Sequence, residues 1–142
     1  SGLQIAPELF RSLVKPLLAR IYNTAHRSSP AKVFLHSCGA VSGLIEDFIE
    51  IGVDILNPVQ TSAAGMEPER LEREFGGRIV FWGGGADAQR VLPLGTPEEV
   101  RADVRRRLEV FRKGYVFAPI HNIQADVPPE NITAMYEEAA RG

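Results

Sequence analysis

Residues 32–58 read KVFLHSCGAVSGLIEDFIEIGVDILNP, and this stretch decides the fold class. Val33 to His36 is a short apolar run of strand-forming residues that stops at Cys38-Gly39. Leu44, Ile45, Phe48 and Ile49 then share one helical face, and Gly52 supplies a C-terminal stop. Val53 to Leu56 is a second apolar run, broken by Asn57-Pro58. Strand, helix and strand follow one another closely. Strands that read as continuous apolar runs rather than alternating ones predict a parallel sheet.

The same unit recurs on either side. Upstream, Pro7 to Arg27 carries Leu9, Phe10, Leu13, Val14, Leu17, Leu18, Ile21 and Tyr22 at helical spacing, with His26 near the helix end. A bend is expected near Pro16, whose ring removes a backbone donor. Downstream, Pro68 to Phe75 predicts a helix, and Ile79 to Trp82 a third strand running into Gly83-Gly84-Gly85. Thr96-Pro97-Glu98-Glu99 combines an N-cap hydroxyl, a proline in the first turn and an acid three residues after the cap. That helix is expected to run to Gly114, before a fourth strand at Tyr115 to Ala118 and a last helix over Pro128 to Ala140. The expectation is α/β: an N-terminal helix followed by four βα units, one domain over residues 1–142. A doubly wound sheet and part of a (β/α)8 barrel share this pattern, and periodicity does not separate them.

Composition narrows the function classes. With 44% hydrophobic and 24% charged residues the chain can bury a core, and a net charge of -2 offers no basic excess for nucleic acid. The basic run Arg105-Arg106-Arg107 is expected on a solvated helix face. Cys38 is the single cysteine, which excludes an internal disulfide and fits a reducing, cytoplasmic setting. No apolar run approaches the roughly 20 residues needed to cross a bilayer, so no membrane partner is expected.

In parallel architectures functional groups gather beyond the C-terminal ends of the strands. The first strand delivers His36, Ser37 and Cys38 there, the second Asn57, Gln60 and Ser62, the third Trp82, Asp87 and Gln89, and the fourth His121, Asn122, Gln124 and Asp126. His36 and Cys38 stand two apart, so on extended backbone both side chains leave one face, as two ligands of one zinc would. His121 could add a third ligand and leave one position open for a substrate thiol or water. The plainer reading stays open: a small buried cysteine beside a hydrogen-bonded strand-end histidine. Gly83-Gly84-Gly85 lacks the Lys-Ser/Thr of a phosphate loop and reads as a tight turn near a ligand. Trp82 suits a pocket wall or the core.

Three segments carry a family resemblance: HSCGAVSGLIEDFIEIGVDILNPVQTSAAGM (36–66), FWGGGADAQRVLPLGTPEEV (81–100) and PIHNIQADVPPENITAMYEEA (119–139). In this order they resemble the C-terminal half of the uroporphyrinogen decarboxylase and cobamide-dependent methyltransferase superfamily, over residues 5 to 140. The resemblance implies a partial (β/α)8 barrel whose four strands are the last four. In the methyltransferase branch an HxC motif and a later cysteine bind zinc, which activates a thiol acceptor for attack on a methyl-cobalt bond. His36 and Cys38 match the HxC; the later cysteine is missing, and His121 stands near its place.

The resemblance therefore implies part of a zinc-dependent methyltransferase working with a small-molecule substrate and a corrinoid on a partner protein. Asn57, Gln60, Trp82, Asp87, Gln89, Asn122 and Gln124 are the expected substrate-binding or supporting groups. The alternatives are a decarboxylase of tetrapyrrole biosynthesis, in which His121 donates to a substrate carboxylate or carbonyl, and a non-catalytic structural or binding module. No catalytic residue is assigned, because the decarboxylase branch keeps its aspartate in the other half. The chain alone is expected to be inactive, and its open barrel face to drive homo-oligomers.

Overall fold

The computed structural model describes residues 5–120 and 122–142. Four parallel strands, β1 (Phe34–His36), β2 (Ile55–Asn57), β3 (Val80–Trp82) and β4 (Tyr115–Val116), pair in the order β1-β2-β3-β4. This order settles the ambiguity left by periodicity. A doubly wound sheet reverses direction at a switch point, whereas a barrel adds each new strand beside the last.

The register gives the sheet two unlike faces. Leu35, Leu56, Phe81 and Tyr115 stand opposite one another in one row. Leu56 and Phe81 are fully buried, and Leu35 and Tyr115 pack against the same cluster. Phe34, Ile55 and Val80 form a second row, and His36 with Asn57, and Trp82 with Val116, lie one step further on. These residues point to the other side, because successive side chains alternate along a strand. Phe34 on this side is 46% exposed. One covered and one open face is the arrangement of a partial (β/α)8 barrel, whose interior is the open side.

The first helical stretch comprises α1 (Pro7–Leu9), a π turn at Phe10–Val14 and α2 (Lys15–Ser28). The irregularity expected at Pro16 takes the form of this π turn, which accommodates the missing Pro16 N–H and its ring at the start of α2. Arg11 and Lys15 from this stretch both hold Asp47, at 3.0 and 2.8 Å, on α3 (Ile45–Glu50). Gly52 follows α3 at φ 92°, the left-handed geometry of a helix stop. The cluster against the sheet also takes Leu71 and Phe75 from α4 (Pro68–Phe75).

A second cluster joins α5 (Val91–Leu94), α6 (Pro97–Val110) and α7 (Pro129–Ala139). α6 starts as expected: the Glu99 N–H donates to Thr96 Oγ1 at 3.3 Å and the Thr96 N–H to Glu99 Oε2 at 2.7 Å. It stops at Val110, earlier than Gly114, because Phe111 turns inward to stack on Tyr115 at 4.7 Å between ring centroids. α5 was not expected; buried Asn131 of α7 secures its end by donating to the Leu92 and Gly95 carbonyls. The basic run departs from a fully solvated face. Arg107 is buried and paired with Asp103 at 3.0 Å, while Arg105 and Arg106 reach Glu138 and Glu69.

Candidate functional site

At the C-terminal end of the sheet one chain of hydrogen bonds crosses three strands. Asn57 Nδ2 donates to the Trp82 carbonyl at 3.2 Å, and Asn57 Oδ1 lies 2.8 Å from His36 Nδ1. A carbonyl can only accept, so Trp82 fixes the orientation of the Asn57 amide. The oxygen then faces His36, and His36 Nδ1 must carry the proton. In the neutral ring Nε2 is then the acceptor. It lies 3.2 Å from Cys38 Sγ, and both side chains are exposed on the open face.

This pair can be tested against a zinc ion. Zinc–nitrogen and zinc–sulfur bonds of about 2.0 and 2.3 Å at a tetrahedral angle put the two donors roughly 3.6 Å apart. The observed 3.2 Å needs only a small adjustment of exposed side chains. The hydrogen bond at Nδ1 is the support that metal-binding histidines ordinarily have. Donor chemistry, tautomer and spacing therefore fit. Two ligands do not complete a site, and among the described residues no third His, Cys, Asp or Glu joins them. His121 lies outside the described residues.

The other expected residues divide. Gln60, Gln89, Asn122 and Gln124 line one cleft of about 160 Å³ between the loops after β2, β3 and β4. Its remaining wall includes Leu92 and Val127. Gln60 links the cleft to the HxC turn, because its Oε1 accepts the Gly39 N–H at 3.1 Å. Asp87 instead spends its Oδ1 on the N–H groups of Gln89 and Arg90, shaping the turn before α5. The Trp82 ring meets Phe34 edge-on at 5.3 Å on the open face, so it serves as wall rather than covered core.

Gly83-Gly84-Gly85 is a close-packed crossing. A Cβ on Gly84, whose φ is 72°, would come within 2.4 Å of the Val59 carbonyl, and one on Gly85 within 2.5 Å of the Phe117 ring. Glycine is required there by the approach of neighbouring loops. A larger cleft, about 640 Å³, opens at the opposite end of the strands beside Asp54, Ile79 and Lys113. Size does not make it the reactive site. Its Asp54 already accepts from Val33 N–H, Lys32 and His26, and its Arg78 is paired with Glu46. The sequence reading missed this network, whose only signal was a histidine and an aspartate distant in sequence.

A family model described as uroporphyrinogen decarboxylase (URO-D) matches residues 1–142. The chain belongs to the uroporphyrinogen decarboxylase family. The solved structure of a methyltransferase from Methanosarcina mazei superposes with a TM-score of 0.72 at 23% sequence identity, over 96% of this chain and 38% of that protein. The chain thus spans well under half the length of that neighbour, and the likeness at this identity establishes a shared fold. A comparison with curated proteins gave no match. Within the family assignment, the strand-end loops described above occupy the end where (β/α)8 barrels build their sites.

Proposed function

We propose that this chain supplies the C-terminal half of a zinc-dependent methyltransferase that moves a methyl group between a corrinoid, carried on a partner protein, and a small thiol or similar acceptor. The observation that carries the reading is the Trp82–Asn57–His36 relay, which makes Nδ1 the donor and turns Nε2 toward the only thiol of the chain. His36 and Cys38 would hold the zinc, with His121 as a further ligand. Zinc, when bound, lowers the pKa of a thiol acceptor so that its sulfur can attack the methyl carbon while the cobalt–carbon bond breaks. Asn57 keeps His36 in the binding tautomer. Gln60 holds the Cys38-Gly39 turn, and Trp82 and Phe34 form an apolar wall that limits water at the open face.

The family match and the shared fold support the superfamily, and the HxC motif of His36 and Cys38 is what favours its methyltransferase branch. Groups from the other barrel half are needed beside these, so the chain alone should not turn over. Its uncovered sheet face should also drive self-association, and sedimentation as a 15.6 kDa monomer at micromolar concentration would refute that.

Zinc analysis tests the reading directly. About one zinc per chain is expected for the wild type, none for Cys38→Ala, and an affinity roughly 10–100-fold weaker for Asn57→Leu, which removes the support at Nδ1. Equal zinc in wild type and Cys38→Ala would overturn it.

A further inference from the structure

The amide cleft lies beside the HxC turn, and its chemistry is specific. Gln60, Gln89, Asn122 and Gln124 converge on it from three loops, and among the described residues no charged side chain lines it. Gln60 uses only its Oε1, Gln124 donates to the Asn122 carbonyl, and the side chains of Gln89 and Asn122 make no hydrogen bond within the described residues. Four carboxamide side chains thus border the cleft, over an apolar wall from Leu92 and Val127.

Among the described residues such a lining offers both donors and acceptors but no countercharge. A primary carboxamide matches it, since its oxygen accepts and its nitrogen donates. A carboxylate does not, because it would surrender water without meeting a cation and would leave amide oxygens facing a negative charge. The volume of about 160 Å³ equals roughly five water molecules at about 30 Å³ each. That admits one short side arm and excludes a macrocycle.

We propose that this cleft binds an uncharged primary carboxamide arm, and that the arm is one of those on the rim of the corrinoid. The assignment rests on the methyl-transfer reading for the corrinoid, and on the cleft alone for the preference of amide over carboxylate. The corrin rim carries acetamide and propionamide arms, whereas a porphyrinogen carries carboxylates in the corresponding places. The cleft therefore selects between the two macrocycles. Gln60 couples the choice to the metal ligands, since it touches both the cleft and the turn that carries Cys38.

The test uses the nitrogen-15-labelled chain and follows its side-chain amide signals in NMR titrations. The probes are propionamide against propionate, and dicyanocobinamide against dicyanocobyrinic acid, its carboxylate counterpart. Each amide is expected to bind at least about tenfold more tightly than its acid, moving the signals of Gln89 and Gln124. Dicyanocobinamide should also bind more tightly than propionamide. Gln89→Leu and Gln124→Leu, both at exposed positions, should lose the preference, and Gln89→Asn should retain part of it. Acids that bind as well as amides, or no saturable response to any probe, overturn the proposal. Dicyanocobinamide binding no tighter than propionamide overturns the corrinoid assignment. Zinc content measured on the same sample separates the two readings: an amide preference without zinc removes the methyl-transfer reading alone, and zinc without an amide preference removes this one.

Discussion

His26 and His36 each hold a neighbour at 2.8 Å, one at either end of the same sheet, and the two pairs do opposite things. At the N-terminal end, His26 Nε2 meets Asp54, a carboxylate that also accepts from Lys32 and from the Val33 N–H. That carboxylate is committed to holding the start of β1 and β2. At the C-terminal end, His36 meets a neutral amide whose own orientation is fixed by a carbonyl, and the second ring nitrogen is left beside a thiol. Paired charge at one end serves the fold, and exposed nitrogen and sulfur donor atoms at the other are available for chemistry. This is why the smaller, partly unsatisfied end is the candidate site although the larger cleft lies at the other.

The largest expected effect breaks both ends together. Phe81 is fully buried in the row of side chains between them and packs on Phe111 at 5.3 Å. Phe81→Ala should cost about 3–5 kcal/mol by urea denaturation. The His26–Asp54 and His36–Asn57 pairs should then loosen in step. A loss under about 1 kcal/mol would mean that the covered face is not the common support of the two ends.

A smaller effect separates them by pH. Burial alone would raise the Asp54 carboxyl, but the Val33 N–H, Lys32 and His26 outweigh it, and its pKa lies below the usual aspartate value. Asp47 is likewise lowered: burial opposes, and the hydrogen bonds of Arg11 and Lys15 prevail. A carboxylate with a depressed folded pKa stabilises the protein fully above its unfolded pKa of about 3.9, and that contribution is lost as pH falls through the folded value. Asp54→Asn should therefore lower stability by about 1–3 kcal/mol near neutral pH. The gap from wild type should close progressively below about pH 4. A gap that stayed constant down to pH 2 would show that the charge of Asp54 carries none of it.

The covered side was legible in the sequence because burial writes itself as apolar periodicity. Leu56, Phe81, Phe48 and Ile45 were readable as core from spacing, and the cap of α6 from Thr96-Pro97-Glu98-Glu99. Strand ends were less legible. Tyr115–Val116 is the whole of β4, because Phe117 leaves the strand to pack beneath Gly85. The candidate residues were readable as a set, since strand ends collect function in any parallel sheet. The histidine–cysteine pair was readable too, from its spacing, but the gathering of the amides into one cleft was not. It depends on which loop approaches which, through contacts such as Gln60 with Gly39 that no local pattern announces.

The smallest effect decides between the two readings of the HxC motif. If His36 were a strand-end histidine kept for its hydrogen bond, His36→Ala would strand Asn57 Oδ1 and loosen the junction of β1 with β2. The geometry argues otherwise. The junction is already held by the backbone, with the Ser37 N–H donating to the Asn57 carbonyl at 2.6 Å, and Asn57 keeps its bond to Trp82 without His36. His36 is exposed, so water can replace it at Asn57 Oδ1. His36→Ala should therefore change stability by less than about 0.5 kcal/mol, the range of surface substitutions, while removing zinc binding. Equilibrium unfolding of metal-free wild type and variant measures the first, and metal analysis the second. A loss beyond about 1.5 kcal/mol with zinc retained would make His36 structural, and the two ends of the sheet would then differ in charge but not in purpose.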